Sequence, residues 1–382
     1  MPSDLWLWIR HETRPHEQRA PVAPEDVARL VAAGVRVTVE ASPDRVFPIE
    51  AYAAAGAERA PAGSWVNAPD EVVVLGLKEL PDEPTELRHR HVYFGHAFKG
   101  QPGARALLDR FVAGGGTLLD LETLVDEHGR RVAAFGVWAG YVGAALAVLH
   151  RRGLLEVPLR PTTREELDRR LVESRREAGS GGATGTGGEA ASGGTTGSGG
   201  ATGSRGESRD GQDTTALVIG TLGRSGRGAV AALELAGVTP TRWDVAETRV
   251  LDKPALLRHD ILVNCVLATE PIPPFVTPDD ATDPTRRLSV IADVTCDVGS
   301  ELNVLPVNTE LTSWEHPVRR LADEPPLDVI AIDNLPSLLP AESSRDFSAA
   351  LTPHLLTLGS DDPVWQRALE AFRRHTTSKG AR

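Results

Sequence analysis

Lys78 follows the apolar run "VVVLGL" (72–77), and His96 follows "VYFG" (92–95). Only four of the 41 basic residues are lysines, namely Lys78, Lys99, Lys253 and Lys379; the other 37 are arginines. A chain that meets its need for positive charge with arginine about nine times in ten has a particular use for a lysine at the end of a buried strand. Unlike arginine, a desolvated lysine can release its proton and act as a base. Histidine titrates near neutrality without such help. Open α/β sheets place ligand sites outside the carboxyl ends of their strands, so two proton-handling side chains at two such ends can face one crevice. Position alone also admits a plainer reading, with Lys78 a solvated strand-end charge and His96 a capped loop histidine.

A second chemistry-bearing stretch is "ALVIGTLGRSGRGAVAALELAGVTPTRWDV" (216–245). A strand enters a turn holding Gly220, Gly223, Gly226 and Gly228, a helix follows, and a short strand ends in Asp244. Glycines let backbone N–H groups approach a pyrophosphate at a helix N-terminus, and an acidic residue about twenty positions on can bind a ribose 2′-hydroxyl. The spacing departs from strict G-x-G-x-x-G, so the strand–turn–helix–strand context carries the expectation of dinucleotide binding. Asp244 favours NAD over NADP because it repels a 2′-phosphate; Arg224 and Arg249 weigh the other way.

Weaker features surround these. "HRHVYFGH" puts His89 and His91 on one strand face, but no cysteine or carboxylate completes a ligand set, and no metal is expected. Arg130 and Arg131 precede an apolar helix, where anion binding competes with an ordinary solvated turn. Arg14 and Arg19 lie on the loop after the first strand, again at a carboxyl end. There is no G-x-S-x-G motif.

The elements that must position these residues alternate. Strands are predicted at 5–9, 35–40, 71–77, 91–95 and 117–122, with helices at 24–34 and 103–115, and a long apolar helix covers 135–153. A helix at 163–177 precedes "GSGGATGTGGEAASGGTTGSGGATGSRG" (179–206), where thirteen of 28 residues are glycine. Such a stretch cannot bury enough apolar area to offset its ordering entropy, and a flexible Gly/Ser/Thr-rich insertion is expected at 179–212. Strands separated by helices imply an α/β fold with parallel sheets. The 382 residues suffice for two domains. A net charge of −12 argues against a nucleic-acid partner, and no apolar run reaches the length of a membrane helix. The first residues lack a signal peptide's pattern, and two cysteines, Cys265 and Cys296, suit a reducing cytosol. A cytoplasmic enzyme is the expectation.

Together these residues resemble the NAD-dependent, lysine-forming saccharopine dehydrogenase family, related to alanine dehydrogenase and transhydrogenase. The resemblance runs over nearly the whole chain, through "ETRPHEQRAPVAP", "PAGSWVNAPDEVVVLGLKELP", "YFGHAFKGQ", "GRRVAAFGVWAGYVGAAL", "VIGTLGRSGRGA", "WDVAET", "ADVTCD" and "IAIDNLPSLLP". It implies two Rossmann-like doubly wound parallel-sheet domains with an active-site cleft between them. The first would comprise 1–135 with 337–382; the second, 136–336, would hold NAD. The implied reaction is oxidative deamination of saccharopine to L-lysine and 2-oxoglutarate, with Lys78 as general base and His96 as general acid. Implied substrate positions are Arg19, Lys78, Gln101, Arg131, Phe135, Thr295, Cys296 and Asp297. Implied cofactor positions are Arg130, Gly220, Gly223, Arg224, Asp244, Thr248, Leu267, Val294, Ile332, Asp333, Asn334 and Leu335. Glu79 and Glu122 match acidic positions that tune the base. Three departures stand out: Ser225 replaces a cysteine that fungal members carry in the glycine loop, Asn334 replaces a histidine, and "NVLP" (303–306) replaces "NPIP". The alternatives are an alanine or opine-type amino-acid dehydrogenase and a catalytically silent NAD-binding regulator. The only expected partner is a small-molecule substrate (saccharopine, or lysine plus 2-oxoglutarate), in a monomer or small homo-oligomer.

Overall fold

The computed structural model describes residues 5–180 and 214–377, so the insertion expected at 179–212 lies, from 181 on, outside the described residues. The chain forms two compact units: Met1–Trp138 with Pro161–Thr163 and Pro336–Arg382, and Ala139–Arg160 with Arg164–Leu335.

In the first unit, β1 (Trp6–Ile9), β2 (Arg36–Glu40), β3 (Glu58–Ala60), β4 (Val73–Leu75), β5 (Arg90–Tyr93) and β6 (Thr117–Asp120) form one parallel sheet. Its order is β3-β2-β1-β4-β5-β6, so the direction of winding reverses between β1 and β4. Three helices connect these strands: α1 (Pro24–Ala32), α2 (Ile49–Ala54) and α3 (Ala104–Gly114). Pro24 pre-sets the first turn of α1, Glu25 and Asp26 complement its dipole, and Gly34 follows its end at φ +88°. Side chains alternate between two apolar layers, as the period of two requires. Leu7, Ile9, Val73 and Leu75 enter one core, while Trp8, Val72 and Val74 enter the other.

The second unit takes α4 (Gly136–Arg151) from Ala139 on, then α5 (Arg164–Ser180) and β7 (Ala216–Ile219). It continues with α6 (Arg224–Leu235), β8 (Pro240–Trp243), α7 (Val245–Thr248), α8 (Lys253–Leu257), β9 (Ile261–Asn264), α9 (Pro278–Ala281), β10 (Val290–Asp293), β11 (Arg319–Ala322) and β12 (Leu327–Ile330). The sheet order is β11-β12-β10-β9-β7-β8; only the edge pair β11–β12 is antiparallel. Here the winding reverses between β7 and β9, beside the glycine turn. Strands β7, β9 and β10 are buried along their whole length, as strands covered on both faces must be. At Gly140 of α4 a Cβ would lie 2.9 Å from the Ser225 Cα, so only glycine lets α4 approach the first turn of α6 this closely.

The chain completes the first unit with α10 (Pro340–Leu355) and α11 (Pro363–Thr376). Ser348 of α10 accepts from the Ala23 N–H (2.9 Å) and donates to Asp26 (2.5 Å), which ties α10 to the start of α1. Phe372 of α11 meets Phe111 of α3 edge to face, 6.0 Å between centroids. No helix among the described residues is long and apolar enough to cross a membrane.

Candidate active site

The strand expected over 71–77 is shorter, Val73–Leu75, so Lys78 stands three residues beyond its end. The reason is local. The Gly76 N–H still reaches the Val92 carbonyl (3.0 Å), but the next two N–H groups turn to a carboxylate. Leu77 donates to Glu12 Oε1 (2.7 Å) and Lys78 to Glu12 Oε2 (3.0 Å). Lys78 itself is half-buried on this loop.

Strand β5 likewise ends at Tyr93, and His96 sits beyond it at φ +49°. Next to β5 is β6, followed by a single 3-10 turn, Leu121–Thr123, that carries Glu122. The fully buried Asp120 carboxylate accepts from the Glu122 N–H (2.9 Å) and the Ala97 N–H (3.3 Å), which joins the two loops. Three adjacent parallel strands thus present Lys78, His96 and Glu122 on three neighbouring loops.

The charges interact. Glu122 Oε2 lies 3.6 Å from His96 Nδ1, and Glu122 Oε1 lies 2.7 Å from Lys99 Nζ. Gln101 Nε2 donates weakly to the same carboxylate (3.5 Å). His96, acting first, and Lys99 hold the Glu122 carboxyl down at about 2. In turn Glu122 raises His96 above its ordinary value, against burial and against the charge of Lys78. Glu17 is buried, which pushes its carboxyl up, yet Arg19, with a contribution from Lys78, holds it below the usual range. Lys78 is therefore in electrostatic reach of both His96 and Glu17. The arrangement favours the protonated form of a histidine beside an ionised carboxylate, with a lysine close by.

Arg19 is buried and already paired with Glu17, Nε–Oε1 2.8 Å and Nη2–Oε2 2.6 Å. Its guanidinium lies 4.4 Å from the Phe135 ring centroid, and Phe135 stacks on Phe347 (4.4 Å, 10°). Bidentate pairing plus an aromatic floor fixes the plane of that guanidinium. Arg130 is exposed and bound to Asp126 (2.9 Å), and Arg131 is exposed. His89 and His91 are both fully buried, His89 Nε2 facing the Ala68 carbonyl (3.0 Å). Among the described residues no group of three or more His, Cys, Asp or Glu could hold a metal.

In the second unit, β7 delivers the glycine turn. Gly220 has φ +89°, and a Cβ there would meet the Cys265 backbone at 3.1 Å. A Cβ on Gly226 would lie 2.5 Å from the Thr221 Cα and 2.7 Å from the Gly220 carbonyl carbon, both backbone atoms. The N-cap of α6 is Gly223, which has no side chain to cap it. Asp244 follows β8 and caps α7, accepting from Val245 N–H and Leu222 N–H, each at 2.9 Å. Thr248 Oγ1 donates to the Asp244 carbonyl (2.9 Å). Around the turn, Leu222, Val245 and Leu267 expose 80%, 67% and 62% of their surface. Val294 and Leu335 approach Gly143 of α4, where a Cβ would meet them at 2.9 and 3.3 Å. Ile332 is buried and Asp333 exposed, and Asn334 Oδ1 accepts from Trp314 Nε1 (3.0 Å).

After β10 the buried Asp293 organises the next turn. Its Oδ1 accepts from Thr295 Oγ1 (2.8 Å), and Cys296 takes φ +54°. Thr295, Cys296 and Asp297 remain half-buried on that turn. Burial raises both thiols, Cys265 to about 12, so neither is a ready nucleophile.

A profile of the alanine dehydrogenase/PNT N-terminal domain matches residues 8–142. The chain is 42% identical over 382 residues to saccharopine dehydrogenase [NAD(+), L-lysine-forming] of Neurospora crassa, covering 96% of this chain and 95% of that one. It is 38% identical to the enzyme of the same name from Yarrowia lipolytica, over the full length of both. The chain belongs to the saccharopine dehydrogenase [NAD(+), L-lysine-forming] family. Solved structures share the fold. An L-alanine dehydrogenase superposes with a TM-score of 0.62 at 16% identity, covering 97% of this chain and 94% of that one. The transhydrogenase from Sinorhizobium meliloti gives 0.58 at 15%, covering 92% and 94%.

In this member of the saccharopine dehydrogenase family, three charged residues escape a reading of the sequence alone: Arg10, Glu12 and Glu17. All lie in "RHETRPHEQR", the loop after β1, and all are buried. The available signal is the density of charge straight after a buried strand, where carboxylates must find partners.

Proposed function

We propose that the protein catalyses the NAD-dependent oxidative deamination of saccharopine, with water consumed and L-lysine, 2-oxoglutarate, NADH and a proton formed. The observation that carries this reading is the meeting of Lys78, His96 and Glu122 on loops after neighbouring parallel strands, in a chain 42% identical to a saccharopine dehydrogenase.

Lys78, in its neutral form, takes the proton from the substrate's secondary amine as the C–H bond of the glutamyl α-carbon breaks. Bound NAD supplies the hydride acceptor. Water then adds to the substrate's imine carbon, and His96 and Lys78 move the protons needed for the carbinolamine to break its C–N bond, so that the lysine amine leaves protonated. Glu122 favours the protonated form of His96 that an acid must have. Saccharopine carries three carboxylates, and the guanidinium of Arg19, fixed by Glu17 and Phe135, suits one of them, with Arg131, Gln101, Thr295, Cys296 and Asp297 as further substrate contacts.

The second unit's residues fit the dinucleotide. The glycines at 220, 223 and 226 make a turn too tight for a Cβ, which would meet the backbone of the turn itself or of Cys265, and Asp244 stands just past β8 where a ribose is held. The exposed side chains of Leu222, Val245 and Leu267 offer apolar cover for an adenine. Arg130, Arg224, Thr248, Val294 and the segment Ile332–Leu335 complete the proposed set. We read the enzyme as cytoplasmic and as a monomer or small homo-oligomer.

The experiment is NADH formation with saccharopine set against alanine as sole amino substrate. Turnover with saccharopine and none with alanine is expected; turnover with alanine alone would make this an alanine dehydrogenase.

A further inference from the structure

Two opposite charges lie buried directly beneath Lys78. Arg10 is 1% exposed and Glu12 is 5% exposed, and Arg10 Nη1 lies 3.2 Å from Glu12 Oε2. Burying such a pair gains little stability over an apolar pair of the same volume, since desolvation offsets the attraction. What these two groups do is hold backbone. Glu12 accepts the N–H groups of Leu77 and Lys78, one on each oxygen, at 2.7 and 3.0 Å. Arg10 Nη2 donates to the Lys78 carbonyl and, at 3.5 Å, to the Glu79 carbonyl. The peptide groups on both sides of the Lys78 Cα are therefore fixed by one ion pair.

The surroundings are shaped to keep it there. The Arg10 N–H extends the β1–β4 ladder to Leu75 O (3.0 Å), and Arg45 donates to the Arg10 carbonyl (3.0 Å). Gly76 has no side chain where the Arg10 guanidinium crosses the strand; a Cβ would lie 2.7 Å from Arg10 Cζ. The loop that carries Lys78 has left the sheet, and Glu12 supplies the acceptors that a neighbouring strand would otherwise provide.

We infer that Arg10 and Glu12 are positioning residues for Lys78, a buried charged clamp that sets where the lysine's Cα stands and so where its amine points. This rests on the reading of Lys78 as the base. A displacement of about 1 Å at a reacting group can cost about a hundredfold in rate. In Glu12→Gln one of the two acceptor oxygens becomes an NH2 group facing an N–H, so the loop must shift.

Saccharopine oxidation is measured on the full-length chain, with NADH affinity by fluorescence and thermal unfolding as companions. Glu12→Gln is expected to lower kcat about 10- to 100-fold while the KM for saccharopine and the NADH Kd stay within about twofold. Placed on Lys78→Met, the same substitution is expected to add nothing to the loss, because the two residues act as a unit. Arg10→Lys keeps the charge but lacks the fork that spans Glu12 and the Lys78 carbonyl, and the same split is expected; it carries the test if Glu12→Gln does not fold. Wild-type kcat in both variants, or losses that multiply on the Lys78→Met background, would overturn the clamp. An active Lys78→Met enzyme would instead overturn the base assignment, and the two failures are thereby told apart.

Discussion

Replacing Glu122 by glutamine removes the charge that faces both His96 and Lys99 while keeping the shape. Glu122 is held at about 2 in place of its ordinary 4.5, and its side chain is 17% exposed. A shift of that size, converted at 1.36 kcal/mol per unit, corresponds to about 3 kcal/mol spread over all its partners. The share belonging to His96 is smaller, because that ring is 56% exposed and its pairing is screened by solvent. Because the Glu122 carboxylate is the largest cause of the raised His96 value, the His96 midpoint should fall in Glu122→Gln. The sign for stability follows. His96 is raised in the folded state, so its pairing contributes fully below about 6.5 and is lost as pH rises through the raised value. Glu122 is lowered, so its contribution is present above about 4.5 and is lost as pH falls towards 2. The pair is strongest between those limits; the variant's unfolding free energy should approach that of the wild type as pH falls towards 2, whereas above the raised His96 value the share due to the Glu122–Lys99 pair remains. The assay is an NMR titration of the His96 ring, with urea unfolding at several pH values. An unmoved His96 midpoint would refute the assigned coupling.

Gly226→Ala places a methyl against the backbone of Gly220 and Thr221, which cannot yield cheaply. If the overpacking of about 1–3 kcal/mol is relieved by deforming the turn that holds the dinucleotide, the NADH Kd weakens by up to about 5- to 150-fold, read by fluorescence titration; unchanged affinity would remove the glycine turn from the cofactor site. His91 is wholly buried, with no hydrogen-bond partner for either ring nitrogen among the described residues, and packs at 5.1 Å against Trp65 and 5.3 Å against Phe111. Burial, then the charges of Arg10, His89 and Arg110, hold it well below its ordinary value. The unfolded chain therefore binds a proton that the folded chain refuses, and stability falls as pH drops below about 6.5. His91→Phe should remove that slope, gaining about 2 kcal/mol on wild type between pH ~8 and ~5 in denaturant unfolding; parallel curves would contradict it.

What was legible in the sequence was local. The glycine turn could be read because positive φ and close backbone approach demand glycine, and Asp244 because it closes the strand that follows. Lysine scarcity singled out Lys78, and alternation of apolar runs gave the parallel sheets. The clamp beneath Lys78 was not legible: Glu12 and Leu77 are 65 positions apart, and only strand order makes them neighbours. For the same reason β4 reads too long, since Leu77 is apolar in type but turns its N–H from the ladder to Glu12. The Glu17–Arg19 pair is close in sequence, yet its burial depends on Phe135 and on Phe347 of α10. The antiparallel edge β11–β12 falls in "RRLADEPPLDVI", too short and too charged to announce itself.

The central claim is that Lys78 is the base of a saccharopine-oxidising enzyme. The most direct test is the rate of NADH formation with saccharopine by the wild type and by Lys78→Met, with NADH binding measured on both. The account predicts turnover in the wild type, a loss of about 10²- to 10⁴-fold in the variant, and undiminished NADH binding. Turnover by Lys78→Met at the wild-type rate would contradict it.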